Sequence, residues 1–179
     1  QTGTGTVSNK NVGSGKAVTV TNLSLVDGSG AASNYNLTSS ALTITARPLS
    51  FSGSRVYDAT TSVVASDLST ISNLVGSETL ILSGNGVTGN KNVGESKALT
   101  NISGLSLGDG SNGGLASNYT LSGGTHKINI TKRSITISGS KTYDGSTTVQ
   151  NNFISTLSNR AGGETLNITG SGTVNSAAV

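Results

Sequence analysis

Ala41-Leu42-Thr43-Ile44-Thr45 and Ser134-Ile135-Thr136-Ile137-Ser138 alternate apolar and polar residues in short runs, the two-residue period of a strand with one face buried. The pattern decides for a folded β protein over a disordered one, although charge and hydrophobicity are both low. Ile128-Asn129-Ile130-Thr131 passes through Lys132-Arg133 into the second run, and the stretch from Leu42 to Phe51 does the same through Arg47-Pro48. No Gly-Ser linker intervenes at either place, so each junction is expected to be short and stiff.

Gly, Ser, Thr and Asn supply 98 of the 179 residues, with four Tyr, two Phe, one Pro, and no Trp, Met or Cys. Such a chain builds thin cores from Val, Leu, Ile and Ala and has little means of enclosing a large cofactor. A net charge of +3 comes from 11 basic and 8 acidic residues, the longest basic run being Lys132-Arg133. That is too sparse for a phosphate-tracking surface, so no nucleic-acid partner is expected. Without Cys there is neither disulfide nor thiol chemistry, and stability must come from sheet pairing and repetition. No apolar run approaches the ~18 residues of a membrane helix, so direct membrane insertion is not expected, and nothing at Gln1 resembles a signal peptide.

The chain repeats. Asn9-Lys10-Asn11-Val12-Gly13 returns as Asn90-Lys91-Asn92-Val93-Gly94, and Ala32-Ser33-Asn34-Tyr35 as Ala116-Ser117-Asn118-Tyr119. Val56-Tyr57-Asp58-Ala59 returns as Thr142-Tyr143-Asp144-Gly145, and Ser77-Glu78-Thr79-Leu80 as Gly163-Glu164-Thr165-Leu166. The offsets of 81, 84 and 86 residues define a unit of about 86. Residues 47–132 make one whole unit, 1–46 the second half of a preceding one and 133–179 the first half of a following one. The expectation is an all-β fold of tandem, mostly antiparallel domains arranged as a rod.

Within the unit, strands are expected at Leu49–Ser52, Val56–Tyr57, Thr79–Ser83, Lys97–Asn101, Leu105–Leu107, Tyr119–Ser122 and Lys127–Thr131. Gly84-Asn85-Gly86 and Gly108-Asp109-Gly110 read as the turns between them. Asp67 to Val75 spaces its apolar residues by three or four behind a possible N-cap, and predicts one short helical turn, with a counterpart at Asn152 to Asn159.

Candidate sites favour structure over chemistry. His126 is the only histidine and has no Cys or second His, so neither a zinc site nor a catalytic role is expected; a surface position is the default. Asp58 and Asp144 occupy equivalent positions of different units rather than forming a pair for glycoside hydrolysis. Each is expected to close an Asx turn while Tyr57 or Tyr143 packs into the core. Ala59 stands where Gly145 stands, which predicts a position that does not demand positive φ. Asp27-Gly28-Ser29-Gly30 and Asp109-Gly110-Ser111-Asn112 lack the closing Glu of a calcium loop, and the Gly-rich stretches lack a P-loop Lys-Ser/Thr. No cofactor, metal or enzymatic activity is expected. Six Asn-x-Ser/Thr triplets are what this composition gives by itself.

Tyr143-Asp144-Gly145 followed by Ser146-Thr147-Thr148, with Lys91-Asn92-Val93-Gly94 and then Asn118-Tyr119, resembles the YDG-type repeats of filamentous-haemagglutinin-like adhesins. These are large fibres secreted by Gram-negative bacteria through two-partner secretion. The resemblance covers essentially the whole chain, departing at Tyr57-Asp58-Ala59, which lacks the Gly, and at Ser176-Ala177-Ala178-Val179, which replaces the Lys-Asn-Val segment. It implies an extracellular, non-catalytic stalk in adhesion or biofilm matrix, with adjacent repeats or identical subunits as partners and host or matrix glycans met outside this stretch. Two further readings stand beside the shaft. One is a lectin-like module, disfavoured because all six aromatics sit where the repeat expects core. The other is a pilus-like fibre in which residues 133–179 are completed by residues 1–46 of the next subunit through strand addition.

Overall fold

The computed structural model describes residues 2–38 and 41–176; Ala177-Ala178-Val179, standing where the whole repeat has Lys91-Asn92-Val93, lie outside the described residues. Alternating runs become short strands, Gly and Asn punctuate them, and the result is an all-β fold of small, mostly antiparallel sheets. The helical content among the described residues is confined to three-residue 3-10 turns.

Two compact units emerge: Gln1–Phe51 with Ile71–Ser83 and Ser106–Thr125, and Ser52–Thr70 with Gly84–Leu105 and His126–Val179. Neither coincides with one turn of the sequence period, because each draws segments from both sides of a repeat border.

In the first unit, Gly13–Thr19 pairs antiparallel with Thr6–Val7 on one edge and Ala41–Ile44 on the other. Its register sets Gly13 opposite Ile44 and Lys16 opposite Leu42, with an irregularity between. Tyr119–Thr120 lies parallel to Arg47–Pro48, and Leu49, Phe51, Leu80 and Tyr119 are buried.

The second unit repeats the central pairing. Gly94–Asn101 runs antiparallel to Lys127–Thr131 with Gly94 opposite Ile130 and Lys97 opposite Ile128, the first register shifted by 81 residues on one strand and 86 on the other. Here the closing strand has a second neighbour: Ser54–Val56 adds in parallel to its outer edge. His126, Ile128 and Ile130 fall on the buried face at alternate positions, and Val63 and Leu68 of the same unit are themselves 0% and 2% exposed.

Several expectations are corrected. The helical turn lies two residues early, at Ala65–Asp67, so Asp67 ends it rather than capping it, and Thr70–Ser72 is a strand. Its counterpart is a 3-10 turn at Asn151–Phe153 followed by the strand Ile154–Ser158. Threefold apolar spacing did not make a helix because β-branched Thr70 and Ile71 find sheet partners. Gly84-Asn85-Gly86 is no turn; it lies inside the nine-residue strand Leu80–Thr88. A Cβ on Gly84 would sit 1.9 Å from the Gly104 carbonyl oxygen, so glycine there serves close backbone approach within the sheet. Gly108 and Asp109 likewise belong to the strand Leu105–Asp109. His126 is buried, not on the surface, because strand alternation puts it on the same face as Ile128 and Ile130.

Candidate functional site

The recurring motifs converge on a carboxylate. In the first unit, Lys10 Nζ donates to Glu78 Oε1 and the Tyr119 hydroxyl donates to Oε2 at 2.6 Å. In the second, Lys91 Nζ and the Tyr57 hydroxyl both donate to Glu164 Oε1, the latter at 2.6 Å. Lys91 repeats Lys10 and Glu164 repeats Glu78, so one lysine–glutamate contact is built twice, each time from a lysine of one repeat to a glutamate of the next. The second donors differ: Tyr119 comes from the glutamate's own repeat, Tyr57 from the lysine's.

Local backbone positions each donor. Asn9 Oδ1 accepts from the Asn11 amide at 3.1 Å and from Lys16 Nζ at 2.6 Å, and Asn90 does the same with the Asn92 amide and Lys97 at the same distances. These Asx turns tie down the segment that carries Lys10 or Lys91. Asn118 reaches from the following repeat to the same turn: its Oδ1 accepts from the Val12 amide at 2.9 Å and its Nδ2 donates to Asn11 Oδ1. Thus Asn118 reads the Lys-Asn-Val-Gly turn while Tyr119 reads the glutamate. Glu78 is in turn set by its own amide, which donates to the Val75 carbonyl, and the Val75 amide donates to the Tyr119 oxygen.

The tyrosine–aspartate turns fold alike. Asp58 Oδ1 accepts from the Thr60 amide and hydroxyl, and its Oδ2 faces Arg55; Asp144 Oδ1 accepts from the Ser146 amide at 3.0 Å and pairs with Lys141 at 2.7 Å. Ala59 has φ 67° and Gly145 φ 74°, so the turn does demand positive φ, contrary to the expectation from the Ala. Tyr57 is half-buried, and Tyr143 is 66% exposed rather than core. Tyr35, the counterpart of Tyr119, is 67% exposed, whereas Tyr119 is 6% exposed. The physical difference is the partner: Tyr57 and Tyr119 close on a glutamate, and the described residues offer none to Tyr143 or Tyr35.

Charge follows this geometry. The Lys10 ammonium and then the Tyr119 hydroxyl hold the Glu78 carboxyl below its ordinary value, and Lys91 with Tyr57 does the same for Glu164. Both lysines are raised by the hydrogen bond to their glutamate. Tyr57 is raised by its bond to Glu164, and Tyr119 by burial and then by Glu78. The Lys141 ammonium and the Ser146 amide bring Asp144 down to about 2. Every shift favours the charge state that makes the contact, as in a structural ion pair.

A second pair of recurring contacts went unread in the sequence. Arg47 Nε and Nη2 grip the Asn73 carbonyl and side-chain oxygens at 2.8 and 2.6 Å, and Asn73 Nδ2 donates to the Pro48 carbonyl. Arg133, Asn159 and Ser134 reproduce the arrangement at 2.7, 2.8 and 2.8 Å. Both asparagines have positive φ, 75° and 65°. The signal that could have found these clamps is recurrence at the 86-residue offset, the same recurrence that already marks Glu78 and Glu164 as equivalent positions.

No group of three or more His, Asp or Glu side chains is placed to hold a metal ion among the described residues. No curated protein and no solved structure matches the chain. The YDG domain does match, over residues 1–43 and 38–128. The matched stretches contain every clasp residue except Glu164, so the contacts that bind one repeat to the next are made by this domain's own recurring positions, and the chain belongs to the YDG domain family.

Proposed function

We propose that this chain is a structural, non-catalytic segment of an extracellular fibre, a stalk of tandem YDG units in a Gram-negative adhesin or biofilm matrix of the filamentous-haemagglutinin-like kind. The observation that carries the reading is the repetition of one joint: a lysine of each repeat bound to the glutamate of the next, with a tyrosine sealing it. Motif residues that bind each other leave little free for a substrate. The fibre's partners are then neighbouring repeats, with glycans of host or matrix met by regions beyond these residues. Exposed Tyr35 and Tyr143 would suit sugar stacking, yet their counterparts Tyr119 and Tyr57 spend their hydroxyls on glutamate, which supports a structural use of these positions.

Thermal unfolding of chains with one, two, three and four YDG units tests the proposal. In a linear array whose neighbours stabilise one another, the midpoint rises with unit number and levels off. A midpoint independent of unit number would overturn the reading, since units that ignore each other do not make a shaft.

A further inference from the structure

Two parallel pairings join the beginning of the whole repeat to its end. In the first unit, Arg47–Pro48 lies parallel to Tyr119–Thr120, with Arg47 opposite Tyr119 and Pro48 opposite Thr120. The Leu49 amide extends this ladder to the Thr120 carbonyl at 2.9 Å, and the Phe51 amide donates to the Thr125 carbonyl at 3.0 Å. On the same stretch, Ser50 Oγ accepts from the Thr125 amide at 2.9 Å. In the second unit, Ser54–Val56 lies parallel to Lys127–Thr131, with Ser54 opposite Asn129 and Val56 opposite Thr131. There the Asn129 amide donates to the Gly53 carbonyl and the Tyr57 amide to the Thr131 carbonyl, both at 2.9 Å. Thr131 Oγ1 adds a bond to the Arg55 carbonyl at 3.2 Å. Within each unit, then, an opening segment of the repeat runs beside a closing segment in the same direction.

Direction decides how such a ladder meets tension. A chain pulled from its two sides draws an opening strand backward by its N-terminal end and a closing strand forward by its C-terminal end. Where the two are parallel, the pull lies along the strands and loads every bond between them side by side, so none yields before its neighbours. Where the same strands are drawn apart from one end, the bonds part singly, each carrying the whole load in turn. Burial adds to the first case. Sliding Lys127–Thr131 along its neighbour drags Ile128 and Ile130, 1% and 2% exposed, through packed surroundings in the second unit, and Leu49 and Phe51, 0% and 2% exposed, resist in the same way in the first. The loaded ends are also fixed. Arg47, where the chain enters the first ladder, grips Asn73 in its unit, and Arg133, just past the end of the second ladder, grips Asn159 in its own.

We propose that the whole repeat has a further function as a shear clamp: the parallel ladders formed by residues 47–57 with residues 119–131 bear tension transmitted along the chain. The clamp is complete within one repeat and needs no second copy. A stalk is pulled whenever its far end is held, and strand direction of this kind resists the pull without disulfides, which a chain lacking Cys cannot form. The inference rests on the reading of the chain as a stalk, yet it fails separately. Melting of arrays reports whether neighbouring units stabilise one another, whereas resistance to pulling reports the direction in which one repeat's strands are loaded.

Single-molecule pulling on the whole chain, along two axes of the second unit, tests the clamp. No native Cys competes for the handles, so Cys introduced at exposed positions sets each axis. Ser52→Cys with Lys132→Cys draws Ser54–Val56 and Lys127–Thr131 past each other; Ser52→Cys with Lys127→Cys draws the same strands apart from their N-terminal ends. At equal loading rate the first axis should rupture at about twofold higher force or more, since several bonds share the load that one bears on the second. Asn129→Pro deletes the amide that meets Gly53 and should lower the force on the first axis toward that on the second. Both axes are measured on the same fold, so their comparison decides the proposal even where Asn129→Pro fails to fold. Equal forces on the two axes, or a folded Asn129→Pro variant as strong on the first axis as its parent, would overturn the proposal.

Discussion

Ala59 shows how a single residue carries the cost of a conserved turn geometry within one chain. Its φ of 67° matches the 74° of Gly145, and an L side chain in that region is strained by about 1–2 kcal/mol, partly offset by the greater unfolded-state freedom of glycine. Ala59→Gly should therefore stabilise the protein by up to about 1 kcal/mol in denaturant unfolding, and Gly145→Ala should destabilise it by a similar amount. The tyrosines give an opposite contrast. Tyr57 donates to Glu164 and Tyr143 has no such acceptor among the described residues, so Tyr57→Phe should lower the unfolding midpoint by about 2–4 °C while Tyr143→Phe at dilution leaves it unchanged. Equal effects from the two would show that the hydroxyl bond to the carboxylate contributes nothing.

Elements were legible where pattern and period agreed. Lys127–Thr131 alternates strictly, lies where alternation predicts, and buries Ile128 and Ile130. The strand Leu80–Thr88 was cut short at Gly84 because glycine signals turns and close sheet approach with the same letter, and only the neighbouring Gly104 carbonyl decides between them. The segment from Asp67 to Val75 misled for a different reason: apolar spacing of three suits a helix, but pairing of Thr70–Ser72 with Ser50–Ser52 overrides it. Lys91, Tyr57 and Tyr119 were visible as recurring motifs and Glu78 with Glu164 as a recurring pair, yet their meeting was not, since each glutamate is remote in sequence from its donors. Among 18 Asn no single one stands out, so only recurrence at the 86-residue offset, Arg47 with Arg133 and Asn73 with Asn159, could have marked the Arg–Asn clamps. Asn159→Gly keeps the positive φ and removes the grip on Arg133 and the Ser134 carbonyl, so it should cost about 1–2 kcal/mol in denaturant unfolding. An effect near zero would mean that the clamp merely decorates the turn.

Across the whole molecule, the clasps set a pH window for stability. Glu78 and Glu164 are held below the ordinary 4.5 in the folded protein, so the stability they contribute is present above that value and is lost as pH falls through their folded values. Asp144, moved from 3.8 to about 2, loses its share over that lower interval. At the alkaline end Lys10 and Lys91 lie above 10.5 and Tyr57 and Tyr119 above 10.0, so their contribution is intact below those values and disappears as pH rises through the raised ones. None of the shifted groups has its ordinary value between these limits. The unfolding midpoint should therefore be flat from about pH 5 to about pH 9.5 and fall on both sides. Because the lysine–glutamate pairs are partly solvent-exposed, molar salt should lower the plateau only slightly. The double variant Glu78→Gln/Glu164→Gln should flatten the acid limb while leaving the Asp144 component below pH 4; an acid limb identical to the wild type would place the pH dependence outside the clasps.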